Sequence, residues 1–402
     1  MKGKICIVVL LLLCLTMLSG CWSKKELTDL AFVIAVGIDK TKEGQYVTTY
    51  QVVNPGNVAG AKQIGGGASG VPISIFISTG DNLFEASRKA SKKMSRLLYF
   101  AHTNLVVIGE GMAREGIGGL LDVLERSNQF RTTAKVIIAH HHSAEEVLKV
   151  LTPIDKISAN QIIKTLEFSE RTWGQTINTD VWKMIHDIAS SGKHPVASGV
   201  DLIGSVEKGQ RLTNVQVSEP DARLNLDDLA LFKDDKLVSW VSGEAARGVL
   251  WVLDKIKQTG VTIEWNGKKE AVGYKVIRTK TEVVPHLKHG KPSISIDIRA
   301  EGDIAEAPVP IDLADVKQVF ALEKMIQHNI KKEVLEAVKK AQQEKIDVFG
   351  FGDAVYRSYP EEWKKMENKW HEHFFPQLPV TVTVDAFIRR TGLRNKPYQF
   401  GR

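Results

Sequence analysis

The sequence predicts a multi-domain α+β protein, most simply of three domains, with mixed β-sheets each flanked by helices. Through the first 150 residues, short runs rich in Val and Ile alternate with segments of helical period, as in a layered sheet covered by helices. Further on, strands with alternating apolar and polar residues precede one long amphipathic stretch, the pattern of a helix lying on a sheet. A length of 402 residues allows two or three domains, and 43% hydrophobic with 25% charged residues is the composition of a folded chain.

The first twenty residues stand apart. Lys2 and Lys4 precede an apolar run from Ile5 to Leu18, and Ser19 and Gly20 then present two small residues before Cys21. Charged, apolar and small segments in that order make a signal peptide with cleavage between Gly20 and Cys21. The apolar run is too short to span a bilayer, which takes about 20 residues. Leu18-Ser19-Gly20-Cys21 also resembles the lipobox of bacterial lipoproteins, in which the cysteine is acylated. Two of the three cysteines, Cys6 and Cys14, lie inside the leader, so the mature chain keeps one thiol that cannot pair internally. Lipidation of Cys21 accounts for it, and two acyl chains anchor stably where one does not. An exported, tethered chain with a formal charge of +7 suits an anionic membrane surface. Nucleic acid is not expected as a partner.

Elements follow in order. Residues 32–38 and 45–53 read as a hairpin, and the glycine-rich stretch 56–70 as a surface loop. Strands are expected at 71–78, 97–108 and 132–139, and helices at 81–94 and 112–126. A further helix opens at Ser143, with Glu146 completing a capping box. Residues 151–195 look helical and polar. Short strands are expected at 200–203, 229–232 and 237–240, a helix at 244–257, and strands at 261–265, 274–283 and 294–300. Phe320, Ile326, Ile330, Val334 and Val338 mark one face of the longest helix, with Lys331, Lys332, Lys339 and Lys340 facing elsewhere. Val380, Val382 and Val384 alternate with polar residues in a last strand ending near Arg390. These shifts place a signal peptide at 1–20, an α/β domain at 21–150, a mainly helical domain or connector at 151–215, and an α+β domain with the long helix at 216–402.

Candidate chemistry is sparse. Gly65 to Gly70 satisfies G-x-G-x-x-G, but it precedes a strand, whereas a phosphate loop follows a strand and opens a helix. His140-His141-His142, and His371 with His373, lack the spaced ligand pattern of a metal site and read as solvated loops. His102 reads as a hydrogen-bonded structural histidine. Trp363 and Trp370, seven apart on one helix face, are either core or a partner-binding stripe. The lysines at 331–340 read as a solvated face, or as a contact for an anionic membrane or acidic partner. No nucleophile elbow, H-E-x-x-H or P-loop occurs, so an enzyme is not expected.

Three ordered blocks carry a family resemblance across the mature chain. Gly20-Cys21-Trp22, Glu26-Leu27 and Gly37-Ile38-Asp39 form the first, and Ala101-His102-Thr103-Asn104 through Ile108-Gly109-Glu110 the second. The third runs from Asp347-Val348-Phe349-Gly350-Phe351-Gly352, through Trp363 and Trp370, to Ile388-Arg389-Arg390-Thr391-Gly392. Together they resemble the Ger(x)C family, the C-subunit lipoproteins of spore nutrient-germinant receptors; Ser23 departs from the aspartate common there. The resemblance implies a three-domain α+β, non-enzymatic subunit anchored by lipid on the outer face of the spore inner membrane. It implies membrane-embedded A and B subunits as partners, and a nutrient germinant met directly or through those partners. It implies no cofactor and no catalytic residue. The alternative is an extracytoplasmic solute-binding lipoprotein of a transporter, which requires two similar lobes around one deep cleft. A surface hydrolase would require a paired nucleophile and base.

Overall fold

A computed structural model describes residues 3, 5, 26–55, 70–155 and 157–392. Gly20, Cys21 and nearly all of the glycine-rich stretch 56–70 lie outside these residues. The strands are β1 (Leu30–Lys40), β2 (Tyr46–Val53), β3 (Ile73–Gly80), β4 (Leu97–Tyr99), β5 (Leu105–Gly109), β6 (Lys135–Ala139), β7 (Val196–Gly204), β8 (Ala222–Asn225), β9 (Asp228–Lys233), β10 (Lys236–Ser242), β11 (Thr259–Trp265), β12 (Lys268–Lys288), β13 (Lys291–Glu306) and β14 (Val380–Arg390). The main helices are α1 (Leu83–Ala90), α2 (Glu110–Glu115), α3 (Gly118–Arg126), α4 (Ala144–Lys149), α5 (Ser158–Thr172), α6 (Val181–Ala189), α7 (Gly243–Val252), α8 (Val316–Glu344), α9 (Phe351–Ser358) and α10 (Pro360–Met366).

The first body is a three-layer sandwich. Its ten-stranded sheet runs β10-β9-β7-β6-β5-β1-β2-β3, with β4 beside β1 and β8 beside β7. The central strands β7, β6, β5 and β1 are parallel, and antiparallel hairpins close both edges. Leu105, Val106, Val107 and Ile108 are all fully buried, because β5 is covered on both faces. Val106 and Ile108 pack with Leu120, Leu121 and Met184 of α3 and α6, while Leu105 and Val107 pack with Val147, Leu148 and Ile162 of α4 and α5. Two-sided burial is why these strands read as unbroken apolar runs. Each such side chain contributes roughly 1.5–3 kcal/mol when withdrawn from water.

This sheet takes strands from all three segments separated by composition: β1–β6 precede residue 150, β7 lies in the middle segment, and β8–β10 follow residue 216. The change of pattern near 216 marks a switch to antiparallel hairpins on the edge of the same sheet. Two expected elements also divide. The stretch 97–108 forms β4 and β5, separated at Thr103, whose hydroxyl donates to the Val33 carbonyl at 3.0 Å. The helix expected at 112–126 breaks at Gly116, whose φ of 134° ends α2 before α3 begins.

The second body is a four-stranded sheet, β11-β12-β13-β14, with β14 parallel to β13 and the other pairs antiparallel. Ile294, Ile296 and Ile298 face Ile326, Ile330 and Val334 of α8 in one core, which accounts for the alternation seen in the sequence. Phe320 departs from the expected apolar face and is 60% exposed. Trp363 and Trp370 do not share one α-helix, since α10 ends at Met366 and a π-helical turn begins at Trp370. Both indoles are core, at 3% and 0% exposure with ring centroids 5.2 Å apart, so neither offers a surface stripe to a partner.

Candidate functional site

The motif residues gather at two places, the carboxyl ends of the parallel strands and the seam between the two bodies. At the strand ends, Asp39 closes β1 and accepts hydrogen bonds from the backbone N–H groups of Ala144 (2.9 Å) and Glu145 (3.1 Å). It thereby serves the unpaired first turn of α4. Ser143 completes the expected capping box with Glu146 on the same turn. The two glycines of the motifs are spacers. A Cβ at Gly37 would press on Leu148 and Ala144 of α4, at 3.0 and 3.2 Å, and one at Gly109 would fall 1.9 Å from the Asp39 carboxylate. Burial pushes the Asp39 carboxyl above its ordinary value, and the two N–H donors offset only part of this.

Glu110 gathers the neighbouring elements. Its Oε1 accepts from Arg114 (2.6 Å) and from the indole of Trp240 (3.2 Å), and its Oε2 from the His141 backbone N–H (3.1 Å). Burial opposes its charge, but these donors outweigh it and hold the carboxyl below the usual range. The His140 ring stacks between His141 and Trp240, at 3.7 and 3.9 Å, and its Nδ1 lies 2.8 Å from the Asp228 carboxylate. The histidine run is therefore not a solvated loop throughout. The β9–β10 hairpin covers His140, the His142 ring bonds the Leu202 carbonyl, and His141 alone is exposed. His102 is an exposed ring packed against Phe32 and Tyr99.

At the seam, fully buried Asp347 accepts from the backbone N–H groups of Gly350, Phe351 and Gly352 at 2.9–3.1 Å, and from the Trp370 indole at 2.9 Å. One carboxylate thus caps α9 and fixes the core tryptophan. Burial pushes it up to about 6 against those four donors. The first body meets this loop closely: the His194 N–H donates to the Asp347 carbonyl at 2.7 Å, and Ser190 bonds Asp353 at 2.6 Å. Gly192 and Gly352 let the backbones touch, since a Cβ on Gly352 would lie 2.6 Å from the Gly192 Cα. The His194 ring lies 3.8 Å from the His371 ring, and its Nδ1 accepts from the Asp347 N–H at 3.2 Å. Burial first, then His371 and Lys233, push His194 down to about 3, so it stays neutral. Nearby, Glu372 bridges Lys233 of β9 to Lys345 after α8, both at 2.6 Å.

These polar groups are spent on joining elements. Among the described residues, no group of three or more His, Cys, Asp or Glu is placed to hold a metal. The two bodies also differ in topology, unlike the paired similar lobes of a solute-binding protein. No helix among the described residues is long and apolar enough to cross a membrane. A cleft of about 540 Å³ opens in the first body between α1 and α3, floored by Ile38 and Tyr50 and edged by Phe84, Arg88 and Leu97. Local spacing did not reveal the partners of Asp39, Glu110 and Asp347. The signal available was an acid directly after an apolar strand run with a glycine close by, as in Gly37-Ile38-Asp39 and Gly109-Glu110.

The fold and its junctions define a two-body α+β protein whose motif acids are structural. The chain matches the family models described as "Spore germination protein N-terminal domain", over residues 23–202, and "Spore germination B3/ GerAC like, C-terminal", over residues 227–392. It belongs to this GerC family of spore germination proteins. It is 43% identical to spore germination protein KC of Bacillus subtilis (strain 168), over 99% of this chain and 98% of that one. Spore germination protein B3 of the same organism is 23% identical over 93% of each. The crystal structure of the GerBC protein shares the fold, with a TM-score of 0.57 at 18% identity, over 88% of this chain and 96% of that one.

Proposed function

We propose that this chain is the C subunit of a spore nutrient-germinant receptor, held by acyl groups on Cys21 at the outer face of the spore inner membrane. It acts there through contact with membrane-embedded A and B subunits and performs no catalysis. The observation that carries this reading is the lone cysteine of the mature chain, standing directly after a leader in the sequence Leu18-Ser19-Gly20-Cys21. Family membership along the whole chain supports the assignment to a receptor. Tethering confines the two bodies to a thin layer and raises their effective concentration for partners in the same membrane. The polar junctions agree with a rigid docking body, because their hydrogen-bonding capacity is used internally.

The test is Cys21→Ala in spores. The variant should leave the membrane fraction, cease to co-purify with the A and B subunits after mild detergent extraction, and weaken nutrient-triggered germination. Retention on membranes through a high-salt wash would contradict the tether.

A further inference from the structure

We propose that the segment from Phe84 to Leu97 is a membrane-contact face, which seats the first body on an anionic phospholipid bilayer. The inference rests on the Cys21 tether proposed above and adds which surface the tether turns toward the lipid.

Reach comes first. Leu30 opens β1 nine residues after Cys21, and nine residues cannot span more than about 30 Å however they run. β4 lies directly beside that entry, with Leu30, Ala31 and Phe32 paired in parallel to Leu97, Leu98 and Tyr99. Arg96 lines a recess together with Ala31. Whatever holds residue 21 therefore keeps the starting end of β1, and β4 beside it, within that reach of the bilayer.

Charge comes second. From Ala86 to Gly109 the sequence has no Asp or Glu, yet it carries Arg88, Lys89, Lys92, Lys93 and Arg96. All five are exposed. Lys89 is paired with Glu85 at 2.8 Å, and Lys93 donates to the Ile77 carbonyl at 2.6 Å. Among the described residues Arg88, Lys92 and Arg96 face no carboxylate at ion-pair distance. Arg126, across the cleft, is engaged by Asp122 and adds no free charge.

Apolar surface comes third. Phe84 is 66% exposed and Leu97 55%, on the rim of the same cleft, so the two ends of the segment present to one side. Leu27, six residues after Cys21, is 73% exposed. The Arg88 guanidinium sits 5.0 Å over the Phe84 ring, placing a cation and an aromatic face together at the surface. Exposed apolar side chains among unpaired cations suit the headgroup boundary of an anionic membrane, where both can be satisfied together. An acidic protein surface would answer the charge but leave the apolar groups without a counterpart.

The experiment reconstitutes the full chain into vesicles of phosphatidylcholine alone, or of phosphatidylcholine with phosphatidylglycerol, and reads hydrogen exchange on peptides covering residues 84–97. Exchange there should slow when phosphatidylglycerol is present and recover in high salt. Arg88→Gln, Lys92→Gln and Arg96→Gln should each weaken docking about fivefold, and all three together about a hundredfold. A set that keeps the charge, Arg88→Lys with Arg96→Lys, should retain the slowing, which separates loss of charge from loss of fold. Lys331→Gln with Lys332→Gln and Lys339→Gln on α8 should change nothing. Equal exchange in both vesicles, slowing that survives the triple Gln variant, or slowing seen only when other receptor subunits are present would overturn the face. Intact mass of the same preparation reads the state of Cys21 separately. The short connection to residue 30 is the same whether acyl groups or an uncleaved leader hold the chain, so the face and the lipidation fail independently.

Discussion

Replacing Glu333 by alanine should severely destabilise the second body. Glu333 is 2% exposed on α8 and faces Arg247 and Trp251 of α7. Its Oε2 accepts from the Arg247 Nε and the Trp251 indole, both at 2.9 Å, and its Oε1 pairs with the second guanidinium nitrogen. The helices touch backbone to backbone here, for a Cβ on Gly248 would fall 2.2 Å from the Glu333 carbonyl, so there is little room to relax. Burial disfavours the Arg247 charge, but Glu333, helped to a smaller extent by Glu244, outweighs it and holds the guanidinium above its ordinary value. Removing one partner of a buried pair costs about 3–5 kcal/mol, because the other charge is left uncompensated. The orphaned indole N–H adds about 1 kcal/mol or more, although the two effects are not independent. A loss of about 4 kcal/mol is expected for Glu333→Ala, measured by urea denaturation followed through tryptophan fluorescence. Arg247→Met with Glu333→Leu removes both charges and fills the space, leaving mainly the indole unsatisfied. That pair should recover most of the loss. A single variant within 1 kcal/mol of the parent, or a double variant no better than the single, would refute the reasoning.

Other consequences follow from the junctions. Gly352→Ala forces a Cβ to 2.6 Å from Gly192 and 2.7 Å from the Trp370 indole nitrogen; a loss of about 1–3 kcal/mol is expected from overpacking, read as a lower thermal midpoint. Asp39→Ala removes the acceptor for two first-turn N–H groups of α4 and should cost about 1–2 kcal/mol, with hydrogen exchange faster at Ala144 and Glu145 and unchanged in α8. The His194 ring should stay neutral at pH 5 by NMR, with its midpoint at about 3. Its folded value lies below the unfolded one of about 6.5, so the unfolded chain takes up the proton first and the ring's contribution is lost as pH falls from about 6.5 to 3. Asp347, raised to about 6, acts in the opposite direction between about 6 and 3.8, because there the folded chain takes up the proton first. His194→Gln should therefore gain on the parent by up to about 4 kcal/mol as pH falls through the histidine window. A constant difference between the two would show that His194 is not held neutral.

Legibility in the sequence followed the range of the interaction. The Ser143–Glu146 box was readable because both partners lie within one turn, and β5 and β6 because two-sided burial leaves an unbroken apolar run. The alternation of β13 was readable because one of its faces meets α8 and the other does not. Asp39 was visible as a motif residue but its role was not, since the amides it serves lie 105 and 106 residues away. The histidine run looked solvated because nothing local indicates that Trp240, a hundred residues on, covers His140. The sheet's passage through residue 216 was hidden for the same reason. A hairpin added to a sheet edge has the same local pattern as one opening a new sheet, and only the pairing of β9 with β7 distinguishes them. The third motif block was legible as a block, while its service as the seam depends on Ser190, Gly192 and His194, more than 150 residues earlier.

The most direct measurement is the mass of the N-terminal peptide of the chain taken from spore membranes. The mature chain should begin at Cys21 and carry a diacylglyceryl group on its sulfur. An unmodified thiol at that position, or a leader still joined to it, would contradict anchoring by lipid on Cys21.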